Sequence, residues 1–453
     1  PRTMTSSPLI TGVVEGFYGR PWSAAQRREL IGRLRTLGLN TYLYAPKDDL
    51  RHRTRWREAY PIGEASELRA LIATCRDAGI DFVYAVAPGL DRDFNTPGGH
   101  AALALKVDHL AELGARRFAV LFDDIIPAPA SGNLGATEHD ATPQVAFAHR
   151  LLAFQHRLDP AARLLFCPTP YCGRMAGNPG ASGYLRYVGD HLDPAVQVMW
   201  TGPEIVSESI TPEDLHGLTS VLRRKPLIWD NLFANDYDLR RLHLGPYAGR
   251  PSSLRAAVSG VLLNPNCEFA VNRPGLETFA EWCMGADYDS AAAHARSRAS
   301  WRPAWRCLGP GGSAEPLPAD MLELLCDCLH LPFSHGPKAE AWRSDLRAAL
   351  GGDTDAASRA RAGGAALGRL FEHLTRLEDR ELLHTVYRHV WELKEEAGLL
   401  LGYLDWLESR PECNAAFFSA EHRSGTYRGG FAADLQRLLT MRADGSFMHQ
   451  TSP

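Results

Sequence analysis

No stretch of this sequence is apolar for long enough to span a bilayer, and its opening, PRTMTSSPLI, holds no hydrophobic signal core. A cytoplasmic protein with no membrane partner is therefore expected. Positive charge is not in excess either: 49 Lys and Arg stand against 53 Asp and Glu, a net charge of −4. Nothing in that balance draws the chain to nucleic acid. Nine cysteines are odd in number, scattered, and without the paired spacing of a metal site. Cys326 and Cys328 read as two positions of one helix, and a reducing compartment is expected. No G-x-S-x-G elbow marks a serine nucleophile, and no histidine motif flanks Cys167 or Cys172. His149, His156 and His243 read as helix-surface residues, so neither a metal nor another cofactor is expected. What remains is a globular chain of 453 residues, 45% hydrophobic, long enough for two or three domains.

From Leu9 to about Gly285, short β-branched or aromatic runs alternate with segments of helical period. The runs are ITGVVEG, NTYLYA, DFVYAVA, RFAVLF, RLLFCP, VQVMW, PLIWD and GVLLN. In the first helical segment, Ser23 is placed to cap the start and Gly38 to end it. Strands separated by helices must run parallel and be covered on both faces, and eight such units close into a (β/α)8 TIM barrel of about 250 residues. The α/β alternative is a doubly wound open sheet, but no glycine-rich phosphate loop follows the first strand. The expected domains are an N-terminal tail at 1–8, a (β/α)8 catalytic domain at 9–285, a linker at 286–318 containing LGPGGSAEPLP, and an all-α helical bundle at 319–453. In that last region Leu367, Leu370, Leu374 and Leu377 lead into a 3-4 seam from Leu383 to Leu407. Such a seam fits an antiparallel hairpin packed within one bundle better than it fits a homodimer contact, though a homodimer through this region is also expected to help shape the cleft.

In a TIM barrel the residues that follow each strand meet at one mouth. Here those residues are EGFYG, PKDD, FDDI, TPY, TG, WDN with Asp236, and NPN. Trp200, Trp229, Tyr171 and Phe17 beside Asp, Asn and Lys suit a sugar, which has apolar faces and a hydroxyl rim. The adjacent pair Asp123-Asp124 is too close to flank a glycosidic bond from opposite sides, as ordinary glycosidase carboxylates do. It fits a substrate-assisted scheme, in which a 2-acetamido oxygen attacks C1, one Asp holds the amide N–H and its neighbour moves the proton. Repulsion between the two is expected to help keep one protonated. Glu15 is expected to orient the first loop.

The segments GVVEGFYGRPWS, NTYLYAPKDD, FDDI, FCPTPYCG, WTGP, IWDNLFANDYD with LGPYAGR, and LLNPNCEF resemble family 84 of the glycoside hydrolases. LHLPFSHGPKAEAW and the hairpin after it are similar to the helical stalk of the animal members. The resemblance implies a retaining β-N-acetylglucosaminidase that removes O-linked N-acetylglucosamine from Ser and Thr of proteins through an oxazoline intermediate. It implies that Asp123 polarises and orients the acetamido group and that Asp124 is general acid and then base. Tyr171 would steady the cyclising acetamide. Gly16, Lys47, Asn231, Asp236 and Asn264 would bind the sugar's hydroxyl and acetamido groups, and Trp229 would wall the pocket. The partners implied are N-acetylglucosamine-bearing proteins or glycans. The alternatives are an enzyme for glycans or hyaluronan-type polymers, and a catalytically silent sugar-binding barrel.

Overall fold

The computed structural model describes residues 9–125, 136–285, 287–409, 416–419 and 429–449. The expected tail at 1–8 and Cys413 lie outside the described residues. In chain order the elements begin β1 (Ile10–Glu15), α1 (Ala24–Thr36), β2 (Thr41–Tyr44), α2 (Ile62–Ala78), β3 (Asp81–Val86), α3 (Pro97–Leu113) and β4 (Arg117–Leu121). They continue α4 (Glu138–Leu158), β5 (Leu164–Cys167), α5 (Gly173–Ala176), α6 (Gly183–His191), β6 (Val196–Trp200) and α7 (His216–Leu222). The series closes with β7 (Leu227–Asp230), α8 (Leu254–Ala257), β8 (Gly260–Leu263) and α9 (Arg273–Met284).

Strands β1 to β8 form a closed parallel barrel in sequence order. β1 seals it, with Gly12 opposite Thr41 on one side and Ile10 opposite Gly260 on the other. All eight expected runs are strands, and α1 starts as its sequence dictates: Ser23 and Gln26 form a capping box, and Gly38 follows the last turn with φ 70°. Alternation along each strand sends every second side chain inward. Val14, Leu43, Ala119, Leu121, Leu165, Cys167, Leu227, Trp229 and Leu262 thus share one apolar cluster. Among the described residues no helix is long and apolar enough to cross a membrane.

The chain divides into two compact units. The first runs to Asp236 and includes Tyr247–Phe269 and Phe279–Tyr288; the second takes Tyr237–Pro246, Ala270–Thr278 and the chain from Asp289 onward. The stretch expected as a linker carries α10 (Ser290–Trp301) and an antiparallel pair, β9 (Arg306–Leu308) and β10 (Ala314–Pro316). Helices α11 (Ala319–Cys328), α12 (Pro337–Leu350), α13 (Thr354–Thr375) and α14 (Arg380–Ser409) follow. The seam side chains of α13 and α14, from Leu367 to Leu404, are buried in one core with Trp301, Trp305 and Trp342. Packing within the chain accounts for the seam, so the seam no longer argues for a homodimer.

Two features of this unit differ from the sequence reading. A three-stranded antiparallel sheet joins β11 (Phe417–Phe418), β12 (Leu439–Met441) and β13 (Ser446–His449), with α15 (Gly430–Gln436) before β12. Strands of two to four residues are too short to show a period of two. His243, read as a helix-surface residue, instead lies outside any helix and is 1% exposed, because apolar neighbours Leu242 and Leu244 carry it into the core.

Candidate active site

The inward register of the barrel strands continues one step past their ends. Val14 points in and so does Gly16; Leu43 and Ala45 lead to Lys47, Leu121 to Asp123, Trp229 to Asn231, and Leu262 to Asn264. Carboxylates on the opposite parity are built into the wall. Glu15 is fully buried and takes Arg27 at 2.7 Å, the Trp22 N–H at 3.1 Å and the Tyr42 phenol, so it orients the first loop as expected. Asp230 is equally buried, held by Arg250 at 2.7 Å and the Tyr247 phenol at 2.8 Å.

Asp123 and Lys47 form a buried ion pair through Oδ2 and Nζ. Burial pushes the Asp123 carboxyl up, but Lys47, then Arg53 and His52, outweigh it and hold the group below the usual carboxylate range. Burial acts to lower Lys47, and the two aspartates reverse this and raise it. Both directions describe one ionised pair. The different environments of the two aspartates therefore come mainly from Lys47 rather than from mutual repulsion alone. The second oxygen of Asp123, Oδ1, is buried and accepts no hydrogen bond from the described residues.

Asp124 lies on the outward parity, yet it faces the same mouth. Its φ of 52° makes it one of two non-glycine residues with left-handed backbone among the described residues. Asp tolerates this region better than most residues, at a cost of roughly 1–2 kcal/mol. The turn brings its exposed carboxyl between two phenols: Tyr171 donates to Oδ1 at 2.8 Å and Tyr18 to Oδ2 at 3.0 Å. Burial, and then the negative charge of Asp124, raise both phenols.

Trp229 forms a wall whose indole N–H donates to Asn231 Oδ1 at 3.0 Å. Asn264 donates to the same oxygen at 2.9 Å, and Asn231 donates to the Ile205 carbonyl at 2.8 Å. Asn231 is thus mostly engaged with neighbours, whereas the buried Oδ1 of Asn264 accepts nothing from the described residues. Gly16 is required by Trp229: a Cβ there would lie 2.2 Å from the indole Cζ2. Asp236 accepts the Tyr18 N–H at 2.9 Å, and burial raises its carboxyl. All nine residues expected at the site are therefore joined by direct contacts or through Tyr18 and the Lys47 ammonium, which sits 5.9 Å from the Trp229 ring.

Sequence reasoning gave no role to Tyr18 or Arg53. Tyr18 stands two residues past Gly16 on the same inward count, and that count is the signal that could have found it. Arg53 lies in the loop between β2 and α2, where no periodicity marks inward positions.

A family model described as beta-N-acetylglucosaminidase matches residues 11–314. Protein O-GlcNAcase of mouse and that of rat are each 46% identical over 275 residues, 60% of this chain and 30% of theirs. The chain thus spans about 30% of the length of these relatives. A solved mutant of the Thermobaculum terrenum O-GlcNAc hydrolase shares the fold, with a TM-score of 0.75 at 23% identity, covering 89% of this chain and 85% of that one. With the matched segment taking in more than half of the 453 residues, the chain belongs to the beta-N-acetylglucosaminidase family of glycoside hydrolases.

Proposed function

We propose that this protein removes β-linked N-acetylglucosamine from Ser and Thr side chains of proteins, with retention of configuration and with the substrate's own acetamide as nucleophile. The observation that carries the reading is the Asp123 carboxylate: ionised, fixed by Lys47 through Oδ2, and offering a buried Oδ1 that lacks a donor among the described residues. An amide N–H is the donor that suits it, since accepting that proton would raise the nucleophilicity of the acetamide oxygen.

In the first step the acetamide oxygen bonds to C1 as the bond from C1 to the serine or threonine oxygen breaks. Asp124 protonates the departing oxygen, leaving an oxazoline-type ring that is still protonated on nitrogen, its N–H held by the Asp123 carboxylate. In the second step Asp124, now the base, takes a proton from water, whose oxygen bonds to C1 and releases the acetamide. Two inversions give retention. Tyr171, on Asp124 Oδ1, steadies the cyclising acetamide; Trp229 walls the sugar; and Gly16, Asn231, Asp236 and Asn264 bind its polar groups.

The test compares an aryl N-acetyl-β-glucosaminide with the matching aryl β-glucoside, and an N-acetylglucosaminylated serine peptide with a hyaluronan oligosaccharide. Hydrolysis of the acetamido substrate and the peptide alone is expected. Comparable rates on the plain glucoside would overturn substrate assistance, and preference for the oligosaccharide would overturn the protein substrate.

A further inference from the structure

The proton donor stands in a backbone conformation that its own residue type does not secure, and something must hold it there. Asp124 is exposed, off the inward register, and left-handed at φ 52°. Its carboxyl is aimed by two phenols, one of which, Tyr18, is itself 39% exposed. An exposed phenol on an exposed aspartate is a poor anchor unless a third group fixes both.

Arg53 is that group. Its side chain is 9% exposed, and its two terminal nitrogens end on different parts of the same assembly. Nη1 donates to the Tyr18 phenol oxygen at 2.8 Å, and Nη2 donates to the Asp124 backbone carbonyl at 3.1 Å. The guanidinium also lies 5.4 Å from the Tyr18 ring centroid. The phenol accepts from Arg53 and donates onward to Asp124 Oδ2, so Arg53 reaches the aspartate both through its main chain and through its carboxyl.

The loop that presents Arg53 is tied down on either side of it. His52 donates from Nδ1 to the Ala85 carbonyl at 2.7 Å, and its own carbonyl accepts the Ala87 N–H at 2.9 Å. The buried ammonium of Lys106, on α3, donates to the Arg51 and Glu58 carbonyls at 2.9 and 2.8 Å. Arg53 therefore springs from a rigid base.

We propose that Arg53 is the positioning residue of the proton donor: its two-point grip on the Asp124 carbonyl and the Tyr18 phenol sets the direction in which the Asp124 carboxyl delivers its proton. This rests on Asp124 being the acid, as proposed above. A lysine keeps the charge but cannot span two acceptors in a fixed fork.

The experiment measures kcat and KM of Arg53→Met, Arg53→Lys and Asp124→Ala on two aryl N-acetyl-β-glucosaminides. One carries a nitrophenyl group, which departs without a proton; the other carries an unsubstituted phenyl group, which needs one. Arg53→Met is expected to lower kcat about 10- to 100-fold on the phenyl substrate and only a few-fold on the nitrophenyl one, with KM little changed. Arg53→Lys is expected to behave like Arg53→Met. Equal slowing on both substrates, or full recovery by Arg53→Lys, would overturn the proposal. If Arg53→Met does not fold, Tyr18→Phe carries the test, because it deletes the phenol oxygen and keeps the ring; the same bias is expected, and its absence overturns the two-point grip. Asp124→Ala separates the levels. If it shows the leaving-group bias and the Arg53 variants do not, this inference alone fails; if it shows none, the assignment of Asp124 fails and this inference with it.

Discussion

Replacing Lys47 by methionine removes the one ammonium paired with Asp123 while keeping most of the side-chain volume. Lys47 is 7% exposed and Asp123 9%, so water replaces little of the lost interaction. Breaking such a pair from one side costs about 3–5 kcal/mol when the remaining charge persists. The carboxyl can instead take a proton, and the sign of the pH dependence follows. In the native protein its folded pKa lies below the unfolded value, so the pair contributes stability above about pH 4 and loses it as pH falls. In Lys47→Met the folded pKa rises above the unfolded value. As pH rises from about 4, the unfolded chain gives up its proton before the folded one does, at about 1.4 kcal/mol of lost stability per pH unit until the new folded pKa is reached. The difference between native protein and variant should thus be smaller near pH 4.5, where only the contribution of the native pair is lost, and reach its full size above neutrality. At pH 8 it corresponds to a fall in Tm on the order of 10 °C for a unit of this size. Thermal unfolding of the first unit, followed by differential scanning calorimetry at pH 4.5 and pH 8, measures it. A destabilisation equal at both pH values would refute the ion-pair account.

Gly16→Ala should cost about 1–3 kcal/mol by overpacking, because its Cβ would lie 2.2 Å from a Trp229 indole that Asn231 holds in place. Activity should fall with it through a higher KM, measured on an aryl N-acetyl-β-glucosaminide; an unchanged KM would remove Trp229 as a pocket wall. Acidification should weaken the second unit. Burial, and then neighbouring cations, lower His294 to about 3, and burial lowers His330 and His389 to about 4, so the unfolded chain takes up protons first. Stability is complete above about pH 6.5 and should decline toward pH 4 by about 1.4 kcal/mol per pH unit for each histidine that titrates independently. Amide hydrogen exchange across α11–α14 at pH 7 and pH 5, corrected for intrinsic rates, checks this, and equal protection at both would contradict it.

The strand ends marked the mouth and the family resemblance picked out its residues; the strict period of two of a buried parallel strand explains why those positions face inward. Counting in twos from Val14, Leu43, Leu121, Trp229 and Leu262 lands on Gly16, Lys47, Asp123, Asn231 and Asn264, while Glu15 and Asp230 fall on the other parity and serve the wall. Asp124 breaks the count, and only its left-handed φ explains how it joins the mouth. Helix ends were less legible. α4 begins at Glu138, eight residues before the apolar period becomes clear at Ala146, because Thr137 and Asp140 cap it ahead of Pro143. α7 is shorter than its apolar pattern suggests, since Thr211 and Asp214 bond to each other's N–H groups in a turn. Arg53 was invisible for a different reason. Its neighbours in space, Tyr18 and Asp124, come from two other loops, and a residue in an irregular loop has no period to betray its direction.

The acetamide of the substrate, held by Asp123, is the proposed nucleophile. Aryl N-acyl-β-glucosaminides in which the acetyl methyl carries none, one, two or three fluorines test it, because each fluorine weakens the amide oxygen as a nucleophile while leaving the glycosidic bond unchanged. A kcat/KM that falls steeply and steadily along the series is expected. Rates that stay level across the four substrates would show that the nucleophile comes from elsewhere.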